Sequence, residues 1–163
     1  MNKFVVDSML GKLGRWMGLL GYDVIYFRGQ KDEQLMEIAL REGRTIITRD
    51  THLALERDPV HSFHIKTIDF RNQLQAVTEA FPLDFNRTFL SRCTHCNVPT
   101  ERVSRQEVID ELPPKAKEWA SVFFRCPGCG KLYWDGTHIP AMLRRLKEDI
   151  GLEIDPVNWH QNS

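Results

Sequence analysis

Cys93-Thr94-His95-Cys96 and Cys126-Pro127-Gly128-Cys129 form two C-x-x-C pairs with 29 residues between them. A two-residue gap lets both sulfurs of one tight turn reach a common ion. Two such turns complete a tetrahedral thiolate shell, the donor set that suits Zn²⁺. A closed four-ligand shell leaves no position for a substrate, so the zinc expected here is structural. His95 is the alternative ligand, and a redox-active or free thiol is the alternative chemistry. A redox C-x-x-C is expected once, at the start of a helix after a strand, rather than twice. The spacing is longer than in a short ribbon, so an insertion must sit between the two knuckles.

A second set of residues is acidic. Asp7, Asp50 and Asp69 each follow an apolar run that reads as a strand. In open parallel sheets the ligand crevice lies beyond the carboxyl ends of the strands, where acids from distant parts of the chain can converge. Several carboxylates close together repel unless a cation joins them, and a hard ion such as Mg²⁺ or Mn²⁺ suits oxygen donors. Ions of that kind support phosphodiester hydrolysis. Local roles compete with this one: Asp7 can cap the first helix, Asp32 the second, and Asp50 can begin a turn. Lys12 and Arg15 lie on the helix after Asp7, off its apolar stripe, where they either grip phosphate or face solvent. Trp16 matches the apolar spacing and reads as core.

The elements that would position these groups alternate over residues 1–85. Phe4-Val5-Val6 is a short strand. Met9, Leu10, Leu13, Trp16, Met17 and Leu20 then recur at helical spacing, with Gly11, Gly14 and Gly18 implying close approach to a sheet and Gly21 a stop. Val24–Phe27 reads as a strand. A helix follows from Asp32, with Leu35, Ile38 and Ala39 inward and Gly43 closing it. Thr45–Thr48 is a third strand, followed by a short helix through Leu53 and Leu55 that ends at Pro59. His64–Ile68 is expected as a fourth strand and Gln73–Phe81 as a helix. Strand–helix alternation predicts an α/β domain with a mostly parallel sheet. Beyond residue 86 the rhythm breaks. Ser104-Arg105-Gln106-Glu107 has the form of a capping box, Pro113-Pro114 should end that helix, and Met142–Ile150 reads as the last one. The resulting division is an α/β domain over 1–85, a cysteine module over 86–150, and an irregular acidic tail over 151–163.

Of the 163 residues 42% are hydrophobic and 27% charged, the balance of a globular protein. No apolar run approaches the ~18 residues of a membrane span, and the amino-terminal residues do not read as a signal peptide. A cytoplasmic setting without membrane contact is therefore expected, where cysteines favour metal over disulfides. Net charge is zero, but residues 86–147 hold 11 Lys/Arg against 6 Asp/Glu. That excess suits a polyanion or a merely solvated surface.

FVVDSMLGKLGRWMGLLGYD, DEQLMEIALREGRTIITRD, CTHC and RCPGCGKLYWDGTH together resemble the Mut7-C RNase domain family, collinearly over about residues 3–147. The resemblance implies a PIN-like three-layer domain with a carboxyl-terminal zinc ribbon and metal-dependent cleavage of RNA. It implies Asp7 and Asp50 as the principal acidic ligands for Mg²⁺ or Mn²⁺, with Asp32 as the third, and it leaves Asp69 as an extra candidate. It also places Lys12, Arg15 and Arg49 around that site. Tyr133–His138 matches a further family block, in which the aromatics cover the ribbon and His138 is a candidate RNA contact. Arg125, Lys131, Arg144 and Arg145 are candidates for a phosphate-contacting ribbon surface. The alternatives are a non-catalytic RNA- or ribosome-binding module and a protein-docking adaptor.

Overall fold

The computed structural model describes residues 2–29, 31–55 and 62–156. The chain divides into two compact units, Met1–Leu83 and Asp84–Ser163.

In the first unit, β1 (Lys3–Val6), β2 (Asp23–Tyr26), β3 (Thr45–Thr48) and β4 (Ser62–His64) form one sheet. The strand order is β2-β1-β3-β4, and every pairing is parallel. The two central strands carry Phe4, Val5, Val6, Ile46 and Ile47, all buried. Such near-continuous apolar runs are what a sheet covered on both faces requires. Val5 and Ile46, partners in register, cluster with Leu35 and Ala39 of α2 (Asp32–Glu42) and Leu53 of α3 (Thr51–Leu55). Their strand neighbours point the opposite way. Val6 meets Gly14 of α1 (Gly11–Leu20), where an added Cβ would lie 3.5 Å from the Val6 side chain. Phe4 meets Tyr22 and Phe81 edge-on, at centroid distances of 5.6 and 4.9 Å. Gly21 ends α1 at φ +96°, a conformation that costs glycine little. On α4 (Phe70–Ala80), Leu74 and Val77 are buried.

Two polar side chains tie the loops to this core. Arg44 is almost fully buried and donates to the Phe4 carbonyl at 3.2 Å, to Asp23 Oδ1 at 2.7 Å and to Glu42 Oε2 at 2.7 Å. Asp23 and Glu42 hold its guanidinium charged against the cost of burial, and the hydrogen bonds from Arg44 and Arg41 lower the Glu42 pKa. Tyr22 donates to the Phe81 carbonyl at 2.7 Å, and burial raises its pKa.

The second unit pairs β5 (Glu101–Val103), β6 (Phe123–Arg125) and β7 (Leu132–Trp134) as an antiparallel sheet in that order. Its helices are α5 (Phe85–Thr88), α6 (Arg105–Val108), α7 (Pro114–Trp119) and α8 (His138–Ile150). Val108, Leu112, Ala116, Ala120 and Phe123 form its core, with Trp134 and Leu132 against it. The capping box is present: the Ser104 amide donates to Glu107 Oε2 at 2.7 Å.

Several expectations shift. The second strand runs Asp23–Tyr26, one residue early. The fourth ends at His64, and Ile65 makes the last bond to the Thr48 carbonyl, because β3 turns away there. Asp69 therefore does not end a strand; its carboxylate caps α4 by accepting from the Asn72 amide at 3.1 Å. Lys31, not Asp32, occupies the cap position of α2, and Asp32 is its first helical residue, where a negative charge suits the helix dipole. Pro113-Pro114 opens a helix rather than closing one: Pro114 takes the first position of α7, where a missing N–H costs nothing. The last helix begins at His138, earlier than Met142. Met9 lies in a short 3-10 turn, Ser8–Leu10, and is exposed rather than inward. Trp16 is half-buried, 6.0 Å from the Phe70 ring. The expected stop at Pro59 and the tail from residue 157 lie outside the described residues, while 151–156 form neither helix nor strand.

Tyr22→Phe should cost about 1 kcal/mol at neutral pH by urea unfolding, the ordinary worth of one hydrogen bond. It should also change the alkaline limb. A folded-state tyrosine pKa above the unfolded ~10 makes stability full below pH ~10 and falling above it as the unfolded chain loses the proton first. The variant should show a shallower loss there.

Candidate functional site

Asp7 and Asp50 lie 43 positions apart in the chain and are brought to neighbouring strand ends by the register of β1 with β3, which pairs Val6 with Ile47. The Asp7 amide donates to the Ile47 carbonyl at 3.0 Å, so the residue continues the ladder one step past β1. The link between the two acids is Thr48, fully buried at the end of β3. Its hydroxyl donates to Asp7 Oδ2 at 2.9 Å and accepts from the Asp50 amide at 3.0 Å. One oxygen thus joins the Asp7 carboxylate to the backbone that carries Asp50. Asp7 Oδ1 accepts from the Ser8 hydroxyl at 3.0 Å and, more weakly, from the Met9 amide at 3.4 Å. Asp50 Oδ1 accepts from the His52 and Leu53 amides at 2.8 and 3.2 Å, capping α3. Asp7 thus caps the 3-10 turn Ser8–Leu10, and Asp50, locally expected only to begin a turn, caps α3.

Asp32 is exposed at the head of α2, after the neighbouring strand β2. Among the described residues no hydrogen bond or ion pair joins it to Asp7 or Asp50, and no three acids offer ligand atoms within 4.8 Å of one another. Around the edge, Lys12 and Arg15 are exposed on α1, and Lys12 Nζ stands 3.9 Å from the Phe70 ring centroid. Arg49 is half-buried between Thr48 and Asp50, and its carbonyl is 3.2 Å from His64 Nε2.

The four cysteine sulfurs of the second unit all lie within 4.8 Å of one another. Cys93 and Cys129 are 3.7 Å apart, and Cys96 and Cys126 are 3.3 Å apart. A tetrahedron with Zn–S bonds of ~2.3 Å has S···S edges of about 3.8 Å, so the cluster is compatible with zinc. His95 is not part of the group; its amide donates to Cys93 Sγ at 3.4 Å. The two knuckles share one backbone pattern. The Cys93 amide donates to the Val98 carbonyl and the Asn97 amide to the Cys93 carbonyl; the Cys126 amide donates to Lys131 and the Gly130 amide to Cys126, all at 2.9 Å. The residue after each second cysteine is left-handed, Asn97 at φ +57° and Gly130 at φ +74°. Asparagine and glycine are the residues that tolerate this.

Tyr133, read from the sequence only as cover, has a polar role. Its hydroxyl donates to Cys93 Sγ at 3.1 Å and accepts from the Thr94 amide at 2.9 Å. Burial raises the Cys93 pKa, but the Tyr133 hydroxyl and the Cys96 and His95 amides outweigh it and lower the thiol to about 6. The hydrogen bond with Cys126 pushes Cys96 up to about 12. Thiolate is the form that binds zinc, so metal binding at this cluster releases protons. Trp134 does pack as cover, and Asp135 is structural, accepting from the Ser121 amide and hydroxyl at 2.9 and 2.8 Å.

His138 is exposed at the start of α8, with its ring folded over Gly136. Of the expected ribbon cations, Arg125 pairs with Glu111 at 2.6 Å, Arg145 with Asp149 at 3.1 Å, and Lys131 reaches Thr94 Oγ1 at 3.3 Å. Arg144 is exposed. No helix among the described residues is long and apolar enough to cross a membrane.

Thr48, Tyr133 and Asn97 were missed in the sequence. Thr48 had a faint signal, a hydroxyl two residues before a strand-end acid, but its partner Asp7 is visible only once strands are paired. Comparison with curated proteins gives no match, and comparison with solved structures gives none either. A family model described as the Mut7-C RNAse domain matches residues 2–146. With that match covering nearly the whole length, the chain belongs to the Mut7-C RNAse domain family.

Proposed function

We propose that the protein is a metal-dependent ribonuclease of PIN-like, three-layer architecture, hydrolysing RNA phosphodiesters at the carboxyl edge of its parallel sheet. The observation that carries this reading is the Thr48 hydroxyl shared by the Asp7 carboxylate and the Asp50 amide. Mg²⁺ is commonly held by one or two carboxylates, with water and substrate phosphate completing its shell. Carboxylate oxygens of Asp7 and Asp50 are the donor type such an ion takes, and exposed Asp32 is the third donor in this reading. Asp7, Asp50 and Asp32 would hold the ion, which when bound would supply neutralisation of phosphate charge and acidification of water. The chain's own residues do the positioning. Thr48 and Ser8 orient the Asp7 carboxylate, the first turn of α3 orients Asp50, and Lys12, Arg15 and Arg49 attract the RNA backbone. In the same reading the cysteine centre holds structural zinc, and the ribbon, with His138, adds grip on RNA.

One observation favours a second reading, a non-catalytic RNA- or ribosome-binding protein. Asp7 and Asp50 both have complete structural jobs as caps, which would retain them without catalysis.

Cleavage of single-stranded RNA with Mn²⁺ separates the two. Asp7→Asn should reduce the rate by at least the ~100-fold that an outer-shell partner can be worth, and Thr48→Val by roughly 10–100-fold. Equal rates in wild type and Asp7→Asn exclude the proposed site. Salt-sensitive RNA binding without cleavage under any divalent ion favours the second reading.

Elemental analysis should find about one zinc per chain. A strong chelator should lower the thermal stability of the second unit, and Tyr133→Phe should weaken zinc retention about tenfold in competition with a chromogenic chelator. A metal-free protein with unchanged melting would remove the zinc from the account.

A further inference from the structure

Tyr26 ends β2, an edge strand of the sheet, and stands in register with Val6, the residue before Asp7. It is one of the few large hydrophobic side chains left exposed, at 38%. Its exposure is not slack. The hydroxyl donates to the Ser8 carbonyl at 3.1 Å, one residue past Asp7. Gly11, at the start of α1, makes room for the ring's hydroxyl end: an added Cβ would stand 2.8 Å from the Tyr26 oxygen. Arg28 places its guanidinium 5.4 Å from the ring centroid. A flat ring pinned at its polar end, partly open to solvent and paired with a planar cation, is more than the core requires at that position.

We infer that Tyr26 and Arg28 form a base-stacking subsite for single-stranded RNA, holding a nucleobase beside the phosphate presented to Asp7. This rests on the ribonuclease reading above for its substrate. Aromatic rings and guanidinium planes are the surfaces on which unpaired bases stack, and every base offers a π-face, so the subsite grips without reading sequence. The Arg28 guanidinium adds a donor for the adjoining phosphate. The fixed hydroxyl removes rotamer freedom before RNA arrives, so little ordering remains for binding to impose.

The test is equilibrium binding of the full chain, without added divalent ions, to a labelled oligoadenylate of about 12 nucleotides and to an abasic ribose-phosphate chain of equal length. Tyr26→Leu should weaken oligoadenylate binding about tenfold or more and leave abasic binding within about twofold, while Tyr26→Phe keeps most of the affinity. Arg28→Ala, at an exposed position, should weaken oligoadenylate binding several-fold more than abasic binding. It decides the matter if Tyr26→Leu fails to fold. Wild-type affinity in Tyr26→Leu or Arg28→Ala, an equal loss on the abasic chain, or no RNA binding by the wild type overturns the subsite. Because no hydrolysis is read, the two claims fail separately. Cleavage indifferent to Asp7 alongside Tyr26-dependent binding would retire the hydrolytic reading and keep the platform.

Discussion

The parallel pairing of β1 with β3 is the constraint on which the acidic edge depends. Register alone places Asp7 beside the end of β3, and a shift of one residue would turn Val6 and Ile47 away from their face of the sheet and carry Asp7 with them. The Thr48 hydroxyl locks what the register brings together. Because Thr48 is itself fully buried, leaving its hydroxyl unpaired would be costly, and the two hydrogen bonds satisfy it. The same bonds that terminate the ladder therefore orient the carboxylate, so folding and site geometry are one event.

The second unit meets a different constraint. Beside the apolar cluster of Val108, Leu112, Ala116, Ala120 and Phe123, its interior holds Cys93 and Cys126, buried thiols that need partners. The paired knuckles, each with a left-handed residue after its second cysteine, present four sulfurs at zinc-compatible spacing. Tyr133 connects sheet to cluster, since β7 holds the phenol whose hydroxyl meets Cys93. In the same unit, two of the cations expected to contact phosphate are committed: Arg125 and Arg145 are in ion pairs. Such surface pairs are weak and exchangeable, so commitment in the free protein does not bar a phosphate from replacing a carboxylate.

Local patterns were legible wherever one segment decided its own structure. The Thr45–Thr48 strand, the stops at Gly21 and Gly43, and the Ser104–Glu107 capping box all follow from residues within a few positions. Expectation and structure differ where a neighbouring strand or helix decides. His64–Ile68 has strand composition, but β3 leaves it no partner past Thr48, so the segment departs and Asp69 becomes a helix cap. Pro113-Pro114 is expected as a stop, but a proline at a first helical position costs no hydrogen bond, and the pair opens a helix that buries Ala116. In the site, spacing exposed the four cysteines completely, because their chemistry is local and paired. The acids were visible as strand ends, whereas Thr48 as their connector and Tyr26 as a pinned ring needed the register of strands far apart in sequence.

The most direct test of the acidic edge is anomalous diffraction from crystals soaked in Mn²⁺. A metal peak contacting both the Asp7 and Asp50 carboxylates is the predicted result. A peak confined to the cysteines, with the Asp7–Thr48–Asp50 link intact and no ion beside it at saturating Mn²⁺, would contradict it.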